Sequence, residues 1–187
     1  MRIGFDFDGV LCPTPFGRLA VHAPSPVAGL PPDYAAMYER RPAVSPLRLA
    51  LEYLRFSWRS AAHDGTAVLR ELASHHELYI VTGRSWKGEA LMERWLRARG
   101  WRDCFSGIWM APGGLRPPQH KLAVAQMMGI DAHIDDDPRT AYHLAKHGVR
   151  TYLLDHAGAH GDRPLPEGCT LVRSLSEFGA LAIPSTD

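Results

Sequence analysis

The sequence predicts an α/β protein, a parallel sheet with helices on both faces, three layers deep and Rossmann-like in plan. Three observations predict it. Short apolar runs alternate with amphipathic stretches over most of the chain. The apolar runs show little alternation of their own, as strands covered on both faces do. Glycines stand where the amphipathic stretches should stop. At 187 residues, the chain fits one domain with room for a small second module. A chain of this length buries roughly 70% of its unfolded surface, so its core needs no disulfides.

Taken in order, residues 3–7 form a first strand. Residues 78–81 form a second, which runs straight into Thr82-Gly83-Arg84-Ser85. A third, weaker strand spans 107–110, a fourth 132–134 and a fifth 151–154. Helices fill the gaps. One covers 66–74. Another covers 86–99, with Leu91, Trp95 and Ala98 at helical spacing and Gly100 as its stop. Helices over 121–128 and 138–147 end at Gly129 and Gly148, where a left-handed cap residue belongs. A short last helix spans 174–181, and a frayed tail follows Pro184.

Residues 14–63 break this pattern and hold seven of the 15 prolines. Within them, 46–60 reads as a helix, with Leu47, Leu51, Leu54 and Trp58 on one face and Arg48, Glu52, Arg55 and Arg59 on the other. The division expected is a core of 1–13 and 64–187 with a small helical insertion at 14–63. Trp58 offers a second use, lining a substrate pocket.

Bulk properties exclude some functions. A net charge of +1 gives no case for binding a nucleic-acid polymer or a membrane through bulk charge. No apolar run approaches the ~20 residues of a membrane span. The opening MRIGFDFDG has no apolar stretch for a signal peptide. The three cysteines, Cys12, Cys104 and Cys169, are odd in number and widely spaced, which suits reduced thiols. These points place the protein in the cytoplasm.

Four short signals carry chemistry, each at the carboxyl end of an expected strand, where open α/β sheets bind ligands. The first is Phe5-Asp6-Phe7-Asp8-Gly9-Val10. Carboxylates two apart diverge along a strand and converge only if the chain turns between them, which Gly9 assists. One can then attack while the other handles a proton; alone, the motif equally suits a solvated turn. The second is Thr82-Gly83-Arg84-Ser85, a hydroxyl and backbone N–H groups suited to an anion, with Ser85 as a simple N-cap the blander alternative. The third is Lys121, at an expected helix start where the dipole disfavours a cation. His120 beside it reads as solvated. The fourth is Asp135-Asp136-Asp137-Pro138. Asp137 fits an N-cap followed by proline. Asp135 and Asp136 lack that explanation, and magnesium takes such oxygen ligands. His156 and His160, near Asp155, read as a solvated loop rather than a metal site.

In this order, the four signals resemble the motifs of the haloacid dehalogenase superfamily over about residues 1–155 outside the insertion. The resemblance implies Asp6 as nucleophile and Asp8 as acid/base. It implies Thr82 and Lys121 as phosphate ligands, with Gly83 and Arg84 beside them. It also implies a magnesium ion held by Asp6, Asp135 and Asp136, with the Asp8 carbonyl as a further ligand. The insertion lies where that family places its smaller caps. Because the family's dehalogenases lack the second aspartate, Asp8 points to phosphatase chemistry. Val81-Thr82-Gly83-Arg84 and Ile134-Asp135-Asp136-Asp137-Pro138 also look like the 5'(3')-deoxyribonucleotidases. The function expected is magnesium-dependent hydrolysis of a small phosphorylated metabolite, such as a nucleotide. A phosphotransferase or mutase of the same chemistry, and a non-catalytic interaction module, are the alternatives.

Overall fold

A computed structural model describes residues 1–13, 45–57, 59–112, 115–156, 158 and 160–183. Six strands form one parallel sheet: β1 (Arg2–Phe5), β2 (Glu77–Ser85), β3 (Phe105–Ala111), β4 (Ala132–Asp135), β5 (Arg150–Leu154) and β6 (Cys169–Val172). Their spatial order is β3-β2-β1-β4-β5-β6. The chain works outward from β1 to β3, then crosses back to β4 on the other side of β1. That reversal makes the carboxyl ends of β1 and β4 a topological switch point, where open α/β sheets bind ligands.

Alternation along the strands divides the core. Ile3, Phe5, Leu78, Ile80, Ala132 and Ile134 face one layer, where α2 (Gly65–His75) contributes Leu69 and Leu72 and α6 (Leu175–Ala182) contributes Leu175 and Phe178. α3 (Glu89–Arg97) adds Met92, Trp95 and Leu96 to the same layer. Tyr79 and Val81 face the opposite layer, filled from Leu122 to Ala125 on α4 (Pro117–Met128) and by Leu144 on α5 (Pro138–Lys146). Both sheet faces are covered, which is why the strands read as continuous apolar runs.

The observed boundaries refine the expected ones. β1 ends at Phe5, although the Asp6 N–H still donates to Ile134 O at 3.0 Å. β2 continues through Thr82 to Ser85 because those residues still pair with Met110 and Ala111 of β3, across a register shift. The expected helix from 86 opens as a 3-10 turn, Trp86–Gly88, capped when the Ser85 hydroxyl accepts from Lys87 N. α4 begins at Pro117, so Lys121 lies a full turn inside the helix and not at its start. Gly129 closes α4 in the left-handed region, and Asp137 caps α5 ahead of Pro138, both as expected. β6 was not expected. Its four residues, two of them half-buried and one exposed, give a weak apolar signal.

Most of the 14–63 insertion lies outside the described residues, including Trp58. Its described part is α1 (Pro46–Ser57) and residues 59–63. Two leucines of the proposed apolar face, Leu47 and Leu54, are exposed, whereas Phe56 is buried in the main core against Phe7. The carboxyl end of α1 is therefore part of the core layer.

Candidate active site

Asp6 follows Phe5 and, by alternation, turns from the α2/α6 layer toward α4. There it meets Lys121, whose Nζ lies 3.0 Å from Asp6 Oδ2 and 2.6 Å from Asp135 Oδ2. Both carboxylates and the ammonium are almost wholly enclosed, at 3%, 0% and 2% side-chain exposure. His133, two residues before Asp135 on β4, shares its face of the sheet. Its Nε2 lies 3.2 Å from Asp135 Oδ2 and must donate, since a carboxylate only accepts. The ring needs Gly4 opposite on β1, because a Cβ there would collide with His133 Nδ1. Asp135 Oδ1 accepts from Asp137 N at 2.9 Å and Asp6 Oδ1 from Phe7 N at 2.8 Å. Asp136 sits over Gly9, which has φ +85° and no room for a Cβ beneath that carboxylate. One oxygen from each of Asp6, Asp135 and Asp136 lies within 4.8 Å of the others. Among the described residues, no other such group of carboxylates, histidines or thiols gathers.

Asp8 stands on the other flank, in the turn after β1. Arg84 forks onto it, Nε to Oδ2 at 2.6 Å and Nη2 to Oδ1 at 2.9 Å, and Arg59 Nη1 reaches Oδ1 at 2.9 Å. Thr82 is buried at the end of β2, its Oγ1 accepting from Arg84 N at 3.3 Å. Gly83 is exposed and faces Pro117 in the first turn of α4.

No family model and no curated protein sequence matches this chain. Solved structures do. A HAD (haloacid dehalogenase) phosphatase from Thermococcus onnurineus superposes with a TM-score of 0.57 at 16% identity, over 96% of each chain. A 2-haloacid dehalogenase from Pseudomonas syringae pv. Tomato gives 0.58 at 16% identity, also over 96% of each. A HAD-superfamily hydrolase of subfamily IA from Geobacter sulfurreducens gives 0.57 at 15% identity, over 97% of this chain and 95% of that one. The chain has the haloacid dehalogenase fold. At such identities the likeness is one of fold, and the chemistry of this haloacid dehalogenase-fold protein has to be argued from its own residues.

Electrostatics separate the two buried carboxylates. Burial pushes Asp6 up to about 6; Lys121 opposes the rise, and the charges of Asp135 and Asp8 add to it. Burial acts on Asp135 too, but Lys121 and the His133 hydrogen bond outweigh it and hold that carboxyl well below the usual range. Burial alone would lower Lys121, yet Asp135 and Asp6 together raise it above its ordinary value, so it stays an ammonium. Burial lowers His133, which keeps its ring neutral and its Nε2–H available to Asp135.

The structure thus brings Asp6, Lys121, Asp135 and Asp136 together, as the sequence suggested. The Arg84 guanidinium is turned to Asp8, while its backbone N–H donates to the Thr82 hydroxyl. Two neighbours were missed. His133 had a signal, a histidine two residues before Asp135 within a strand. Arg59 had none beyond the insertion's six arginines against three acids. His120 is fully buried rather than solvated, its Nε2 at 3.3 Å from Trp109 O, and burial pulls it down to about 4. His160 is buried too, its N–H donating to Asp155 Oδ2 at 2.9 Å and its Nε2 lying 2.9 Å from Arg163 O; it pins the loop after β5.

An open depression of about 600 Å³, lined by Met1, Arg2, His75, His76, Glu77 and Asp131 among others, lies at the opposite end of the strands. Its charges serve one another, with Arg2 Nε 3.1 Å from Glu77 and Arg2 N 2.8 Å from Asp131. It is remote from the carboxylates and from the switch point. Among the described residues, no helix is long and apolar enough to cross a membrane.

Proposed function

We propose that this protein is a magnesium-dependent phosphomonoesterase that works through an aspartyl-phosphate on Asp6, with a small phosphorylated metabolite such as a nucleotide as substrate. The observation that carries the proposal is the convergence of Asp6, Asp135 and Asp136 beside Lys121 at the switch point. The donor set fits the ion: three hard carboxylate oxygens, two buried and one half-buried. A magnesium ion held by these residues supplies the positive charge that lets an anionic phosphate approach a carboxylate.

The chain's own residues then act as follows. An Asp6 oxygen attacks phosphorus, and the bond from phosphorus to the ester oxygen breaks. Asp8, which must enter this step protonated and so with its pairing to Arg84 and Arg59 loosened, gives its proton to that leaving oxygen, and the alcohol departs. Water attacks the aspartyl-phosphate while Asp8 takes its proton, which restores Asp6 and releases inorganic phosphate. Lys121 stays charged throughout, holds Asp6 in place and draws the phosphate oxygens. Phosphoryl transfer leaves the protein mainly positioning and charge stabilisation to do, and the site is built for both.

Solved proteins of this fold include dehalogenases. A halide leaves as a stable anion without needing a proton, so that reaction gives no use to an acid at position 8 or to a carboxylate triad. Both features support the phosphate reading.

The test is a panel of alkyl phosphates, nucleoside monophosphates, 4-nitrophenyl phosphate and 2-chloropropionate. Phosphate release should need magnesium and stop on chelation, with no chloride released. Activity that survives exhaustive chelation, or dominant chloride release, would defeat the proposal. In Asp8→Asn, single-turnover phosphorylation by alkyl phosphates should slow about 10² to 10⁴-fold, and by the activated aryl ester much less. A product that appears only with an added alcohol acceptor would instead mark a phosphotransferase.

A further inference from the structure

Asp8 lies outside the named strands, joined to Cys12 by a single isolated bridge. Gly9 N donates to Cys12 O at 2.8 Å and Cys12 N to Phe7 O at 2.9 Å, so the turn's backbone is held, and the direction of the carboxylate depends on its side-chain partners. Arg84 arrives with β2 and forks onto both oxygens, its guanidinium 4.6 Å above the Phe56 ring and 5.4 Å from that of Phe7. A carboxylate held from one side by one fork can still rock about it. Arg59 adds a second donor on Oδ1, 2.9 Å away and from a separate segment of chain.

The backbone of Arg59 is itself tied down. Its N–H donates to Phe56 O at 3.2 Å. Its carbonyl accepts from Trp95 Nε1 at 3.2 Å and Arg99 Nη2 at 2.9 Å. Arg99 in turn lies over the Trp95 ring at 3.7 Å, and Trp95 packs edge-on against Phe7 at 4.9 Å. Three residues further on, Ala62 N donates to Leu11 O at 3.0 Å, joining the returning chain to the turn that carries Asp8. None of these ties uses the Arg59 guanidinium, whose side chain is 23% exposed.

Resting on the phosphatase reading above, we infer that Arg59 is a positioning residue for Asp8: from the chain returning to the core, it fixes the direction in which that carboxylate delivers and accepts its proton. Proton transfer tolerates little misplacement, and a shift of about 1 Å can cost 10²-fold. Steps that need Asp8 should therefore feel the loss of Arg59, and steps that do not should be spared.

Burst kinetics with magnesium and 4-nitrophenyl phosphate separate the two kinds of step. The burst reports phosphorylation of Asp6 with a leaving group that needs no proton. The steady state reports attack by water, which needs Asp8 as base. In Arg59→Gln, the burst rate should stay within about threefold of wild type while the steady-state rate falls about tenfold or more, and KM, which scales with the slow dephosphorylation step, should fall with it. In an Asp8→Asn background, the same change should cost less than about threefold, because the group it positions is gone. Arg59→Lys, which keeps the charge without the fork, should recover part of the rate and serves if the glutamine variant does not fold. An equal loss in both backgrounds, or a raised KM with an unchanged steady-state rate, would overturn the inference while leaving the phosphatase reading standing. A wild-type protein without burst or turnover would sink that reading itself.

Discussion

On the α4 flank of Asp6, the polar groups belong to regular elements and are sealed from water: Lys121 on α4, His133 and Asp135 on β4, with Gly4 making room for the histidine ring. On the opposite flank, Asp8 sits in a turn, and its partners are Arg84 at the irregular end of β2 and Arg59 in the chain returning from the insertion, all partly exposed. Asp6 thus lies between a preformed wall and an adjustable one. Burial magnifies each charge on the first side, so geometry there must be fixed before substrate arrives. On the second side, the proposed acid/base role of Asp8 requires it to exchange partners, and partial exposure lowers the cost of doing so.

The contrast should show most in Lys121→Met. Removing the cation leaves Asp6 and Asp135 buried together, and denaturation by urea should reveal a loss of about 3–5 kcal/mol in metal-free protein. Added magnesium should recover much of it through the same carboxylates. A loss near zero would mean that the wall is not preformed.

Acid titration should give the next largest effect. Asp6 has its folded pKa raised to about 6 from 3.8, so the folded protein binds the proton first, and stability rises as pH falls from 6 toward 3.8. His120 has the opposite sign: lowered to about 4 from 6.5, it contributes stability that is lost as pH falls through that interval. His133 acts in the same direction as His120. In metal-free wild type the terms offset. In Asp6→Asn the histidine terms stand alone, so moving from pH 7 to pH 5 should destabilise that variant by roughly 1 kcal/mol more than wild type. Parallel pH profiles would contradict the raised pKa of Asp6.

Arg59→Gln should show the smallest effect on stability, under about 1 kcal/mol, since a partly exposed ion pair contributes little. Thermal unfolding checks it. A loss as large as that in Lys121→Met would erase the distinction between the two flanks.

What could be read from the sequence follows the same division. The buried wall belongs to regular elements, and its signals are local: an apolar run ending in Asp6, another ending in Asp135, and an N-cap with proline that accounts for Asp137 and leaves its neighbours unexplained. His133 obeyed the period of two and was legible in principle. The burial of His120 is not legible in the sequence, because a histidine on a helix gives no local sign of the layer it will face; here it is enclosed between α4 and β3. The Asp8 contacts join residues 76 and 51 positions away, and no spacing rule connects a turn carboxylate with an arginine that far off. α1 was legible as a helix but its buried side was not, because Phe56 is set by Phe7 and the neighbouring helix rather than by its own period.

The central claim is that Asp6 carries the phosphoryl group. Wild-type protein with magnesium, mixed with a radiolabelled phosphate ester and quenched in acid within the burst, should yield one labelled peptide, spanning residue 6. The label should be released by hydroxylamine, as an acyl phosphate is, and be absent from Asp6→Asn. Full burst product without covalent label, or label on a histidine or on Asp8, would contradict the account.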